Sequence, residues 1–265
     1  MMYALAKFAS RTGRLGKPLP SPFPVFDLEN VRFRLGATSM IAGKPGAFKS
    51  VLALNMMKYW TLAGYPSVYF SADSDEHTVA RRMAGIITGT SADVIDADFT
   101  AGNFRQYMPA LESLGLVRFE YRILDMEGIA ERLAAYEAVY GDYPPIVFID
   151  NLMNFSDSTD DWGLMRDMTR ELDALARETK SHICILHHAS ESWGRASDPV
   201  PRAAIQGKIT QLSRLVLTCA ADGLTIKVAC TKNTNGPQHP DANRWMNFTV
   251  LPSLEVVDNY QDSLR

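Results

Sequence analysis

The chain has 265 residues, 46% of them hydrophobic, and 27 lysines and arginines against 30 aspartates and glutamates, for a formal net charge of −3. That length supports one large core with appendages, and the near balance of charge excludes nucleic-acid recognition by bulk positive charge, leaving only local basic patches. No apolar run approaches the ~20 residues of a membrane span, and Cys184, Cys219 and Cys230, odd in number and set in apolar stretches, exclude a disulfide frame.

Along the chain, residues 1–24 come first as a basic arm carrying Lys7, Arg11, Arg14 and Lys17, without the small-residue cleavage site of a secretory signal. Four prolines among small residues over 16–24 mark an extended linker or docking arm. Residues 1–30 are therefore set apart as the arm, 31–258 as the core and 259–265 as a tail. Apolar runs then alternate with helical periodicity. Strands are expected at 39–42, 67–71, 117–121, 146–150 and 182–187, and helices at 50–63, 76–88, 126–140 and 164–179. Such alternation predicts an α/β fold with a mostly parallel sheet flanked by helices. The C-terminal part changes character. Strands at 215–220 and 224–230 around a turn at Ala221-Asp222-Gly223, then a pair at 246–251 and 254–257, predict antiparallel strands at that end.

The first expected strand runs into Gly43, Lys44, Pro45, Gly46, Ala47, Phe48, Lys49 and Ser50. A glycine-rich loop between strand and helix is a phosphate cradle. Its N–H groups face the anion, Lys49 reaches the phosphates and Ser50 can ligate magnesium. Phe48 stands where a glycine is usual before the lysine. Three other strands end in polar groups. Asp150 closes an apolar strand and can hold magnesium opposite Ser50, Asp73 follows a second and can orient an attacking water, and His188 closes a third, where it can sense a terminal phosphate. The adjacent His187 points to the opposite face of its strand, so the two imidazoles do not share a metal ion.

These motifs, in this order, resemble the RecA-like P-loop core of the hexameric DnaB-type helicases, and within them the short branch of RepA-like and bacteriophage DnaB-like proteins. The resemblance covers 35–237. It implies ATP and Mg²⁺ as cofactors, Asp73 in place of the catalytic glutamate, Asp150 as the magnesium aspartate and His188 as the γ-phosphate sensor. Lys232-Asn233-Thr234-Asn235-Gly236-Pro237 is similar to the Lys-x-Arg-x-Gly-Pro finger that reaches a neighbouring subunit's nucleotide, with Lys232 kept and Thr234 in place of the arginine. The long polar segment 189–203 then implies a single-stranded DNA contact through Trp193, Arg195, Arg202 and Lys208. A homo-oligomeric ring or filament in a bacterial host's cytoplasm, acting in DNA replication or recombination, follows from the same resemblance. Two other readings stay open on this core. One is a magnesium-dependent endonuclease for branched DNA, using Asp73 and Asp150 with Asp157, Asp160 or Asp161. The other is a DNA-binding recombination mediator that barely hydrolyses nucleotide.

Overall fold

The computed structural model describes residues 16–155 and 162–259. Its elements in chain order are α1 (Pro24–Leu28), β1 (Ala37–Gly43), α2 (Lys49–Leu62), β2 (Ser67–Ser71), α3 (Glu76–Thr88), α4 (Ala92–Thr100), α5 (Met108–Glu112), β3 (Arg118–Glu120), α6 (Met126–Tyr140), β4 (Ile146–Asp150), α7 (Trp162–Thr179), β5 (His182–His188), β6 (Leu215–Asp222), β7 (Thr225–Asn233), β8 (Met246–Val250) and β9 (Val256–Asp258), with short 3₁₀ turns between some of them. Among the described residues the strands form one nine-stranded sheet in the order β3-β2-β4-β5-β1-β6-β7-β8-β9.

Strand pairing is parallel from β3 to β6 and antiparallel from β6 to β9. Every residue of β1, β2 and β4 is buried, as expected of strands covered on both faces. Alternation along them divides the core. Ile41, Tyr69, Phe148 and Leu186 pack with Leu52, Met56 and Trp60 of α2, while Met40, Phe70, Ile149 and Ile185 pack with Leu133 of α6 and Leu172 of α7. The chain leaves β1 for β2 on one side and returns to its other side only with β6. That switch opens a crevice at the carboxyl end of β1, where an open α/β sheet holds its ligand.

Four features differ from the sequence reading. First, β2 and β4 have the expected bounds, but several other strands begin or end a residue or two away, with β1 running on to Gly43 and β5 to His188. Second, the hairpin turn lies at Gly223-Leu224 and not at 221–223. Asp222 stays in the ladder opposite Thr225, and Gly223 takes the positive φ (+59°) that a two-residue loop requires at its first position. Third, β9 starts at Val256 because Leu254 is left-handed (φ 65°). Asn55 of α2 then anchors it, donating to the Leu254 carbonyl and accepting from the Val256 N–H. Fourth, α4 and α5 fill a stretch left without elements in the sequence reading. They are short, and Ile95 is the one buried residue of α4.

The proline-rich stretch is extended along its described part and lies beside Phe33 and Leu35. Leu19 N–H donates to the Phe33 carbonyl and Leu35 N–H to the Lys17 carbonyl. Its end folds into α1, with Pro24 at the first turn, and Phe23 and Phe26 enter the core edge-on to Phe248. Lys7, Arg11 and Arg14 of the arm, and the 260–265 tail, lie outside the described residues.

Candidate nucleotide site

The loop between β1 and α2 is shaped by its sequence. A Cβ on Gly43 would meet the Cys219 carbonyl oxygen of β6 at 2.5 Å, so this strand end packs only as glycine. Gly46 has φ +76°, a left-handed residue placed for free. Phe48 also takes the left-handed region (φ 56°, ψ 26°), where an ordinary side chain costs about 1–2 kcal/mol, and its half-buried ring packs on the core. The substitution that the sequence shows is thus accommodated by backbone strain balanced against packing. Lys44 is half-buried, Pro45 and Gly46 are exposed, and Ala47 is buried beneath them.

Lys49 is only 7% exposed, buried by the loop that it closes. Its ammonium donates to the carbonyls of Gly43 and Lys44, both at 3.1 Å, and so is held inside the cradle. Burial pushes its pKa below the usual lysine range, opposed by the charges of Asp150 and Asp73. Asp150, 2% exposed at the end of β4, accepts a hydrogen bond from the Tyr69 hydroxyl at 2.6 Å and another from Ser50. Burial nevertheless raises its pKa. Tyr69 is the partner that sequence reasoning missed. It is an apolar-looking strand residue, and only the β2–β4 register brings its hydroxyl to the neighbouring carboxylate.

Asp73 lies exposed in the turn after β2, and its charge bears on Lys49, Asp150 and His188 alike. His188 pairs with Gly43 across β5 and β1, and the next residue, Ala189, donates its N–H to the Gly43 carbonyl at 3.1 Å. Burial and the nearby Lys49 both lower the His188 pKa, so its imidazole is neutral at pH 7. The structure therefore brings Lys49, Ser50, Asp73, Asp150 and His188 to one end of the sheet. The oxygen set of Ser50 and Asp150, joined to each other, fits a hard divalent cation. The ammonium held on two backbone carbonyls fits a phosphate that would draw it outward.

Segment 189–203 rises from this same point. Ser190 N–H bonds the Ala204 carbonyl at its base, Lys227 holds Asp198 at 3.3 Å, and Lys44 donates to the Arg195 carbonyl at 3.4 Å. Trp193 and Arg195 are exposed, and Arg202 is half-buried. The Lys208 side chain lies outside the described part, as do Asp157, Asp160 and Asp161.

Lys232 is elsewhere. It pairs with Val216, and Leu215 beside it pairs with Ser39 near the start of β1. The ammonium donates to the carbonyls of Thr210 and Gln211 at 2.9 and 2.7 Å, and burial lowers its pKa. From the β1 residue hydrogen-bonded to Arg214, Thr38, to Gly43 is five residues, or about 16 Å of strand. Lys232 thus does not reach its own chain's phosphate loop. An apolar recess of about 410 Å³ between α3 and β3, lined by Met83, Leu114, Phe119 and Tyr121, is also separate from these groups.

Comparison with known proteins adds a family and a fold. The AAA domain family matches residues 11–192. The Gene 65 protein of Mycobacterium phage L5 is 28% identical over 259 residues, covering 94% of this chain and 95% of its own length. The Gene 65 protein of Mycobacterium phage D29 is 28% identical over 231 residues, covering 83% and 98%. Among solved structures, a DnaB-like replicative helicase, described with its primase interactions, superposes with a TM-score of 0.78 at 15% identity over 95% of this chain, which spans 64% of that helicase's length. A solved ATPase domain gives the same score and identity, over 96% of this chain and 95% of that one. A KaiC-like protein of Pyrococcus horikoshii gives 0.62 at 14% identity, over 91% and 98%. The fold is that of the RecA-like ATPase core.

Proposed function

The chain belongs to the AAA domain family, and from that premise we propose that it is a magnesium-dependent ATPase of phage DNA replication, coupling ATP hydrolysis to movement on single-stranded DNA. The observation that carries this reading is the convergence of Lys49, Ser50, Asp73, Asp150 and His188 on the carboxyl end of the sheet. The triphosphate lies along residues 43–50, and Lys49 leaves its two carbonyls for the phosphate oxygens. Ser50 and Asp150 would hold magnesium, which would offset the charge that develops on the β- and γ-phosphates.

Asp73 orients a water whose oxygen attacks the γ-phosphorus and accepts the proton it sheds. The bond from γ-phosphorus to the β-phosphate oxygen breaks, giving ADP and inorganic phosphate. The protonated ring nitrogen of the His188 imidazole donates one hydrogen bond to an oxygen of the terminal phosphate. Because the next residue bonds Gly43, a shift there is passed to segment 189–203. Trp193, Arg195, Arg202 and Lys208 are the groups proposed to meet a DNA strand, by stacking and by phosphate contacts that weaken with salt.

The test is magnesium-dependent ATP turnover with and without single-stranded DNA, for the wild type and Lys49→Ala. Turnover stimulated by DNA and lost at least ~100-fold in the variant is the expected result. Equal turnover in the two proteins would refute the site. Nucleotide binding without turnover, or branched-DNA cleavage that needs no ATP, would refute the ATPase in favour of the mediator or the nuclease.

A further inference from the structure

Asp150 is a buried carboxylate held by neutral partners. Its donors are the hydroxyls of Tyr69 and Ser50, while the nearby Lys49 ammonium is held on the Gly43 and Lys44 carbonyls. A buried charge is ordinarily paired or set on a metal, so this arrangement keeps the negative charge available for a divalent cation. Ser50 would share that cation. Tyr69 would not, and a phenylalanine would pack the same ring, so the purpose of its hydroxyl must lie in what it does to Asp150.

The ring is fixed by its neighbours. Tyr69 is 1% exposed and lies in register with Phe119 of β3 on one side and Phe148 of β4 on the other. It stacks on Phe148, with 5.3 Å between centroids and 23° between planes, and its centroid is 5.6 Å from that of Phe119. Asp150 is two residues beyond Phe148, so it projects from the same face of the sheet, and the phenol reaches it diagonally across the strand pair. The bond is made to Oδ2 at 2.6 Å. A ring clamped in this way does not follow the carboxylate if it turns. The bond therefore holds Asp150 in one orientation, with Oδ2 committed to the phenol.

We infer that Tyr69 is a positioning residue that selects the divalent cation of the nucleotide site. The inference rests on the ATPase reading above and adds the choice of ion. With Oδ2 committed to the phenol, Asp150 would meet the cation, or a water bound to it, through Oδ1 alone. Magnesium demands near-octahedral geometry and keeps several of its waters, whereas calcium takes more oxygens and often grips a carboxylate with both. The phenol thus favours magnesium by denying calcium the second oxygen. The competing account makes the hydroxyl a partner for a buried carboxylate and nothing more. That account predicts a loss of stability with no change in ion preference.

The experiment measures, by titration calorimetry, the affinity of the full chain for the β,γ-imido analogue of ATP in saturating MgCl₂ and in saturating CaCl₂. The proteins are the wild type, Y69F and V68A, with thermal melting alongside. Y69F keeps the ring and its stack and removes only the hydroxyl. V68A removes buried apolar contacts from the opposite face of β2 and controls for lost stability. The wild type should prefer the magnesium complex ~10-fold or more, and Y69F should lose ~10-fold or more of its magnesium affinity, the usual cost of removing a group that orients a metal ligand. Calcium affinity should stay level or rise in Y69F, so that the preference disappears. V68A should melt lower and keep the wild-type preference.

Equal affinity of the wild type for the two complexes overturns the inference whatever the variants do, and stays decisive if Y69F fails to fold. A Y69F that keeps the wild-type preference, or that loses both affinities equally, reduces the hydroxyl to a structural partner and also overturns it. So does a V68A whose preference falls with that of Y69F, since ion choice would then follow stability. A wild type that binds the analogue with neither ion defeats the parent reading. A wild type that binds it with magnesium while Y69F matches it with both ions defeats this inference alone.

Discussion

Phe48 is the residue at which local chemistry and the motif disagree most openly. Its φ of 56° costs about 1–2 kcal/mol for a side chain, a cost that glycine avoids. Against that, the half-buried ring packs on the main core, a contribution of about 1–2 kcal/mol, and glycine would add ~0.5–1 kcal/mol of backbone entropy to the unfolded state. These opposing effects nearly cancel, so Phe48→Gly should lower stability by no more than ~1 kcal/mol in a urea titration at unchanged slope. A loss above ~2.5 kcal/mol would show that Phe48 is primarily a core residue, and that packing, not the phosphate, holds the loop in shape. The departure was visible in the sequence, but its resolution was not, because a left-handed backbone at a bulky residue leaves no mark in composition or periodicity.

At the scale of elements, the sequence was most legible where an element is long, periodic and bounded. α3 and α6 span the residues that their patterns predict, each capped by an aspartate (Asp75 and Asp125) whose carboxylate accepts an N–H three residues on. The strand tips bearing Asp150 and His188 were legible for the same reason, as apolar runs stopping at a polar group. The pairing Tyr69–Asp150 and the anchoring of Arg214 by Thr234 were not legible, since both depend on register between strands distant in sequence. The edge strand β3 ends in an arrangement of the opposite kind, local in sequence. Glu120 accepts from Arg122 at 2.8 and 2.7 Å and from Arg132 at 3.0 Å, and these bonds depress its pKa from 4.5 to about 2. A folded-state pKa below the unfolded one stabilises the fold above pH 4.5, and that contribution disappears as pH falls toward 2. Solvent discounts it, because the Arg122 side chain is 64% exposed, which leaves roughly 1–2 kcal/mol. Glu120→Gln should therefore be less stable than wild type by that amount at pH 7, and the gap should narrow steadily between pH 5 and pH 3. Equal urea midpoints at pH 7 would mean that the triad is solvated surface.

The whole molecule poses a question that none of its parts answers alone. One end of the sheet gathers the groups proposed to bind and attack a triphosphate, and the Lys232 ammonium, engaged by the Thr210 and Gln211 carbonyls, lies elsewhere on the chain. In the ring or filament proposed for this chain, a nucleotide bound between two subunits would be part of the contact. ATP and magnesium should therefore drive self-association, since a ligand held by two subunits stabilises the assembly over the free chains. Light scattering should give the 29.4 kDa mass of one chain without nucleotide and a multiple of it with the non-hydrolysed complex of ATP, magnesium and Lys49-intact, Asp73→Asn protein. A mass of one chain under every condition would refute assembly on the nucleotide and leave the site to work within a single chain.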